Sequence, residues 1–237
     1  MVGRASFGLF RIFSRAPLVI ERKAICPRMS WVIPDDLCER INVGRIRSDS
    51  RMYPQKKYPT IGACGLDCGL CPRFYTVGPS RCPGCAGPGF HDKHPTCSFI
   101  TCCVKDKNLE VCSECPDFPC AKFKSAEEYR QVKESSSYPS CKKILPNLCF
   151  IKEEGIENFI AQQRKRMRLL KTMISKFDDG RSKSFFCRAA IFHDIAALES
   201  SIARARKIIQ GRKVKLADTR SRAKILRTVI ADIPLGE

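Results

Sequence analysis

Eleven of the sixteen cysteines in this chain fall within fifty-seven residues, from Cys64 to Cys120. Thiols this dense call for cross-linking, either to one another or through metal. The same stretch holds only twelve large apolar or aromatic side chains: Leu66, Leu70, Phe74, Tyr75, Val77, Phe90, Phe99, Ile100, Val104, Leu109, Val111 and Phe118. Ordering each residue costs about 1.5 kcal/mol, so a segment this poor in core material is not expected to fold alone without staples. A structural zinc supplies about 10–16 kcal/mol in small peptides, which is the right magnitude.

Disulfides would need an oxidising compartment and a secretory signal. In Phe7-Gly-Leu-Phe-Arg11-Ile-Phe-Ser-Arg15 the arginines interrupt any apolar core of a signal peptide. Reduced, metal-bound thiolates in the cytoplasm are therefore expected. No apolar run approaches the eighteen or so residues that span a bilayer. Residues 1–51 read as a disordered or non-native extension, since Met29 and Met52 offer later starts. Its arginine, serine and phenylalanine content also fits an organellar transit peptide. Trp31 and a possible helical turn from Pro34 to Glu39 show no sustained periodicity.

The spacings sort the thiols into groups: Cys64-x3-Cys68-x2-Cys71, Cys82-Pro-Gly-Cys85, Cys97-x4-Cys102 with Cys103 adjacent, and Cys112-x2-Cys115-x4-Cys120. Two cysteines flanking a tight turn can reach one ion, and glycine and proline around them suit such a knuckle. Four ligands per ion make two sites the natural count for Cys64, Cys68, Cys71, Cys82, Cys85, Cys97, Cys102, Cys112, Cys115 and Cys120. The first pairing to consider is Cys68, Cys71, Cys82 and Cys85 for one ion, and four of Cys97, Cys102, Cys112, Cys115 and Cys120 for the other. Zinc, two ions, is favoured. A [4Fe-4S] cluster is the alternative, because Cys64, Cys68 and Cys71 show a C-x3-C-x2-C spacing and prolines follow Cys71 and Cys115. The two readings differ most at Cys64. His91 and His94, between two cysteine groups, could replace one thiolate but read first as surface loop, and His193 reads as a structural residue in a helix. Asp67 reads as a turn residue or one that supports the ligands beside it.

The segments Ala-Cys64-Gly-Leu-Asp-Cys68-Gly-Leu-Cys71-Pro, Arg-Cys82-Pro-Gly-Cys85, Cys97-Ser-Phe-Ile-Thr-Cys102 and Val-Cys112-Ser-Glu-Cys115-Pro-Asp-Phe-Pro-Cys120 resemble the prokaryotic domain-of-unknown-function family 3795 over about residues 60–125. The resemblance implies a small cytoplasmic metal-binding domain and carries no activity or substrate. Cys103 lies outside the family pattern.

Beyond the cysteines, Ser125 is an expected N-cap with Glu128 three residues on, and Ser135–Pro139 reads as a loop within a linker at 126–150. A basic helical region of about three helices is expected over 151–237. The first carries Ile156, Phe159, Ile160, Met167, Leu170, Met173, Ile174 and Phe177 on one face and stops at Asp179-Gly180. The second is expected to run from about Ser184 to Gln210. The third starts near Asp218 or Thr219 and ends at Pro234.

Charge is concentrated there. Residues 1–51 carry ten basic and five acidic side chains, 52–150 thirteen and nine, and 151–237 twenty and ten. Four thiolates on a divalent cation bring a net −2, so two such sites would cancel the excess of the middle segment. Arg164, Lys165, Arg166, Arg168 and Lys171, with Arg204, Arg206 and Lys207, are expected to form solvated faces. The expected fold class is a small irregular metal-stapled cysteine-rich domain at 52–125 followed by an α-helical C-terminal region. The expected role is a binding module for a protein partner, with nucleic acid as a further possibility through the basic helices, no membrane contact and no catalytic residues. A redox or accessory-enzyme role accompanies the iron–sulfur alternative.

Overall fold

The computed structural model describes residues 54–94, 97–124 and 139–233. The extension at 1–51, its turn at Pro34–Glu39 and the helix start expected at Ser125 lie outside these residues. Among the described residues there is no β-strand. The cysteine-rich part is built from loops joined by 3-10 turns at Cys68–Leu70, Pro72–Tyr75 and Cys112–Glu114, with a π-helical stretch at Ile100–Asp106. Helices follow: α1 (Ala121–Lys124), α2 (Ile144–Glu154), α3 (Ile156–Phe177), α4 (Lys183–Phe192), α5 (Ile195–Gly211) and α6 (Thr219–Ala231). The order, cysteine-rich part then helices, is the expected one, but six α-helices among the described residues replace about three. None of them is long and apolar enough to cross a membrane.

The extra helices have local causes. Helix α2 occupies the end of the stretch read as a linker, and Gly155, at φ 85°, separates it from α3. The expected second helix is cut in two because His193 and Asp194 are both extended, at ψ 156° and 150°. The carbonyls left at the end of α4 are taken up from another helix: Arg166 Nη1 donates to Ala190 O at 2.8 Å and His193 O at 2.6 Å. Arg166, expected on the solvated face of α3, is instead a half-buried C-terminal cap for α4. Arg164, Lys165, Arg168 and Lys171 are exposed, as are Arg204, Arg206 and Lys207. Helix α3 ends at Phe177 and α6 begins after Asp218, close to the expected limits. Asp218 accepts a hydrogen bond from the Ser221 amide at 3.0 Å, the usual N-cap arrangement.

Two apolar cores result. One joins Ile61, Phe99, Ile100, Val111 and Phe118 of the cysteine-rich part to Ile144, Leu148 and Ile151 of α2 and to Phe159 and Ile160 of α3. The cysteine-rich part thus borrows core that its own composition lacks, at about 1.5–3 kcal/mol for each large side chain buried. Its approach to α2 is close: a Cβ on Gly65, at φ 94°, would stand 2.5 Å from Ile144 O. The second core packs Leu170, Met173 and Phe177 of α3 against Phe186 and Ala190 of α4, Leu198 and Ile202 of α5, and Leu226 and Ile230 of α6.

Polar ties fasten the two parts. Gln163 of α3, 2 % exposed inside an otherwise apolar stripe, donates to Thr60 O and Asp67 Oδ1, both at 2.9 Å. Asn147 of α2 donates to Gly65 O at 2.8 Å and Asp67 Oδ2 at 3.0 Å. At the rim, Glu157 accepts from Tyr58 Oη and from Lys57 Nζ.

Candidate metal centre

The thiols fall into three neighbourhoods. In the first, Cys85 acts on both Cys64 and Cys68. Burial pushes the Cys64 thiol well above its ordinary range, and the charges of Cys97 and Cys85 push it further. Burial raises Cys68 as well, followed by the charges of Cys85 and Cys64, with Cys71 a lesser influence. Burial also raises Cys85, while the Lys56 ammonium and the Ala63 amide, 3.3 Å from its Sγ, pull the other way. Backbone hydrogen bonds from Cys85 N to Pro59 O and from Cys112 N to Ala63 O, both 2.8 Å, lock the loops that carry these groups.

Cys82 and Cys71 form the second. Gly84, at φ 90° and with no space beside Pro59 for a Cβ, turns the Cys82-Pro-Gly-Cys85 knuckle so that its amide lies 3.4 Å from Cys82 Sγ. The same sulfur lies 3.1 Å from His94 Nε2. The His94 ring stacks on Phe90, centroids 4.6 Å apart, and its pKa is lowered by burial and then by Arg73 and Lys93. His94, expected first as surface loop, is thus in contact with a thiol. Cys187 of α4 is influenced by Cys71, and burial holds its thiol up at about 12.

The third neighbourhood is a pocket. Cys102, Cys103, Cys112, Cys115 and Cys120 line a cavity of about 70 Å³ walled by Phe99, Phe118 and Phe123. The π-helical stretch places Cys102 and Cys103 side by side, Cys103 buried and hydrogen-bonded with Cys112. That bond lowers Cys103 and raises Cys112, whose burial raises it further. Lys107 Nζ lies 2.9 Å from Cys115 Sγ and 2.8 Å from Asp117 Oδ2.

Five sulfurs around one small cavity are a soft donor set that suits zinc or an iron–sulfur cluster. The geometry is that of neighbours and not of a finished cage: among the described residues no three His, Cys, Asp or Glu side chains already stand as a group that could hold an ion. The members of the first-considered pairing of Cys68, Cys71, Cys82 and Cys85 influence one another in turn: Cys85 and Cys71 both act on Cys68, and Cys71 acts on Cys82. Reasoning from spacing left Cys103 and Cys187 out of the ligand set and preferred surface loop for His94 over replacement of a thiolate. Only His94 had a local signal, four residues after Phe90, a distance that one helical turn closes through His94 N to Phe90 O at 3.0 Å.

Residues 60–125 match the model of a family described as "Protein of unknown function (DUF3795)". All eleven clustered cysteines lie inside this DUF3795 segment, in agreement with the resemblance drawn from their spacing, whereas Lys56, Asn147, Gln163 and Cys187 lie outside it. No curated protein and no solved structure matches the chain.

Proposed function

We propose that the DUF3795 segment binds two zinc ions through closed, all-cysteine or cysteine-dominated sites, and that the chain is a cytoplasmic binding module with no catalytic centre. The observation that carries this reading is the cavity lined by Cys102, Cys103, Cys112, Cys115 and Cys120. Buried thiols earn little as small apolar groups at this density, whereas thiolates on zinc convert binding energy into folding energy. The ligands would close on the ion as it binds, completing with metal the core that α2 and α3 begin. A site saturated by protein ligands leaves no open position for chemistry, hence a structural role.

The partner in this reading is a protein with an acidic surface. Beside the second core, Lys176, Arg206, Lys213 and Arg222 line a concavity of about 440 Å³, and Arg204, Arg212 and Lys224 contribute to another of about 510 Å³. Nucleic acid would meet the same basic surface, and its binding would weaken steeply with salt.

Anaerobic purification followed by measurement of zinc, iron and acid-labile sulfide tests the metal reading. Two zincs in a colourless protein are expected. Matching iron and sulfide in a brown protein would replace zinc with the cluster alternative, and a chain devoid of all three that binds none on titration would end the proposal.

A further inference from the structure

Helix α5 ends in a turn closed by Lys213 N to Gln210 O and Val214 N to Ile209 O, both 3.0 Å, with Lys213 in the left-handed region at φ 50°. This is the Schellman pattern, whose left-handed position favours glycine. A side chain there strains the backbone, and strained residues concentrate at binding sites. The turn itself gains nothing from lysine, since both of its bonds are made by backbone groups.

What lysine adds is a fourth cation to the concavity of about 440 Å³ beside the second core. Lys176, Arg206, Lys213 and Arg222 line it over Phe177 and Ile209; among the described residues no carboxylate lines it, and none of the four cations is in an ion pair. Asp178 and Asp179, the next residues along the chain, both accept from the Ser182 amide, at 3.1 and 2.9 Å. Arg222 is half-buried and fixed in place. Its Nε and Nη2 donate to Lys176 O at 3.0 and 2.7 Å and its guanidinium carbon lies 5.8 Å from the Phe177 ring centroid, while Nη1 has no hydrogen-bond partner among the described residues.

Four cations around one concavity exceed what a carboxylate, with a single charge and two oxygens, can satisfy. A phosphoryl group brings a charge of about −1.5 to −2 and three acceptor oxygens, and clusters of arginine recognise it. We propose that this concavity binds a phosphoryl group on a side chain of a protein partner, with Arg222 as the fixed fork and Lys213 held towards it by its strained turn. The assignment rests on the reading of this basic surface as the site of an acidic protein partner and names the group that anchors it. Nucleic acid fits less well: Phe177, the one aromatic residue lining the concavity, is 2 % exposed and offers no face for a base to stack on. The neighbouring concavity at Arg204, Arg212 and Lys224 also includes a carboxylate, Asp232, which a phosphate backbone would meet as a like charge.

The test adds three probes to the full chain and follows its backbone and arginine side-chain resonances: a Gly-Ser peptide carrying one phosphoserine, the same peptide with glutamate in that place, and a DNA duplex of mixed sequence. The phosphopeptide should give saturable shifts at Lys176, Arg206, Lys213 and Arg222, and the glutamate peptide should bind about tenfold more weakly or worse. Lys213→Gly should weaken phosphopeptide binding about tenfold while melting no lower than the wild type, because glycine fits the left-handed turn. Arg206→Gln, at an exposed position, should weaken it to a similar degree with an unchanged melt. Wild-type affinity in Lys213→Gly, or a lower melt without loss of affinity, overturns the role of Lys213. Equal binding of the phosphoserine and glutamate peptides overturns the phosphoryl group and leaves the acidic-partner reading intact. Binding of neither peptide overturns both. Duplex DNA bound more tightly than the phosphopeptide, with shifts spreading to Arg204, Arg212 and Lys224, overturns the protein partner and gives the surface to nucleic acid.

Discussion

Gln163 Nε2 donates to Asp67 Oδ1 at 2.9 Å, joining the middle of α3 to the residue before Cys68 across ninety-six positions of sequence. Both side chains are buried, and Asn147 completes the same carboxyl group from α2. The three residues hold the first cysteine loop against the helices. Gln163→Leu leaves Asp67 and Thr60 O each short of a buried donor, and should cost about 1–3 kcal/mol in denaturant unfolding of the metal-free chain. A variant as stable as the wild type would show that water replaces the amide.

Arg166 closes the end of α4 from a different helix. Arg166→Ala should lower stability by about 1–3 kcal/mol through the loss of two charge-assisted bonds at Ala190 and His193 carbonyls. Hydrogen exchange is the specific readout: the His193 amide, bonded to Ala189 O, should lose protection before those in the body of α3.

Gly84 has no room for a side chain. A Cβ there would stand 2.3 Å from Pro59 O with the backbone at φ 90°. Gly84→Ala should destabilise the chain by about 1–3 kcal/mol, the usual magnitude for a strained left-handed residue, and should weaken metal binding because Cys82 and Cys85 are set by the same turn. Thermal melts with and without zinc separate the two effects.

Asp218 caps α6, and its hydrogen bonds from Ser221 hold its carboxyl below the ordinary carboxylate value of 3.8. A lowered folded pKa means that the unfolded chain takes up the proton first. The cap therefore contributes its full stability above that ordinary value and loses it as pH falls through the lower folded value. Wild type should melt above Asp218→Ala at neutral pH, and the difference should shrink in acid. A gap independent of pH would show that the carboxylate is not the capping group.

On the metal-binding reading proposed above, metal removal should act first on the core that carries the clustered thiols. The second core, from Leu170 and Phe177 to Leu226 and Ile230, contains none of the clustered thiols from Cys64 to Cys120. Chelation should raise hydrogen exchange across 54–124 and leave α5 and α6 protected. Equal loss throughout would mean that the two cores unfold as one.

The ends of α3 and α6 were legible because their signals are local: a 3.6-residue apolar stripe, an Asp-Asp-Gly stop and an Asp N-cap. The break at His193 and Asp194 was not, since an uninterrupted apolar stripe runs through it and the arginine that satisfies the broken end comes from twenty-four and twenty-seven residues earlier. Gln163 was hidden for a similar reason. Its position on the apolar face is read from periodicity, but its burial depends on Asp67 and Thr60 being there to accept its protons.

The cysteine cluster shows the same division. Residue type and spacing by themselves determined that Cys64 to Cys120 forms a thiol-dense segment short of its own core, because donor chemistry and composition are properties of the chain. Which thiols become neighbours was decided only in three dimensions. Cys103 meets Cys112 beside a π-helical stretch, His94 reaches Cys82, and Lys56 enters from outside the segment; backbone hydrogen bonds to Pro59 and Ala63, and the apolar faces of α2 and α3, set those approaches, and no spacing rule contains them.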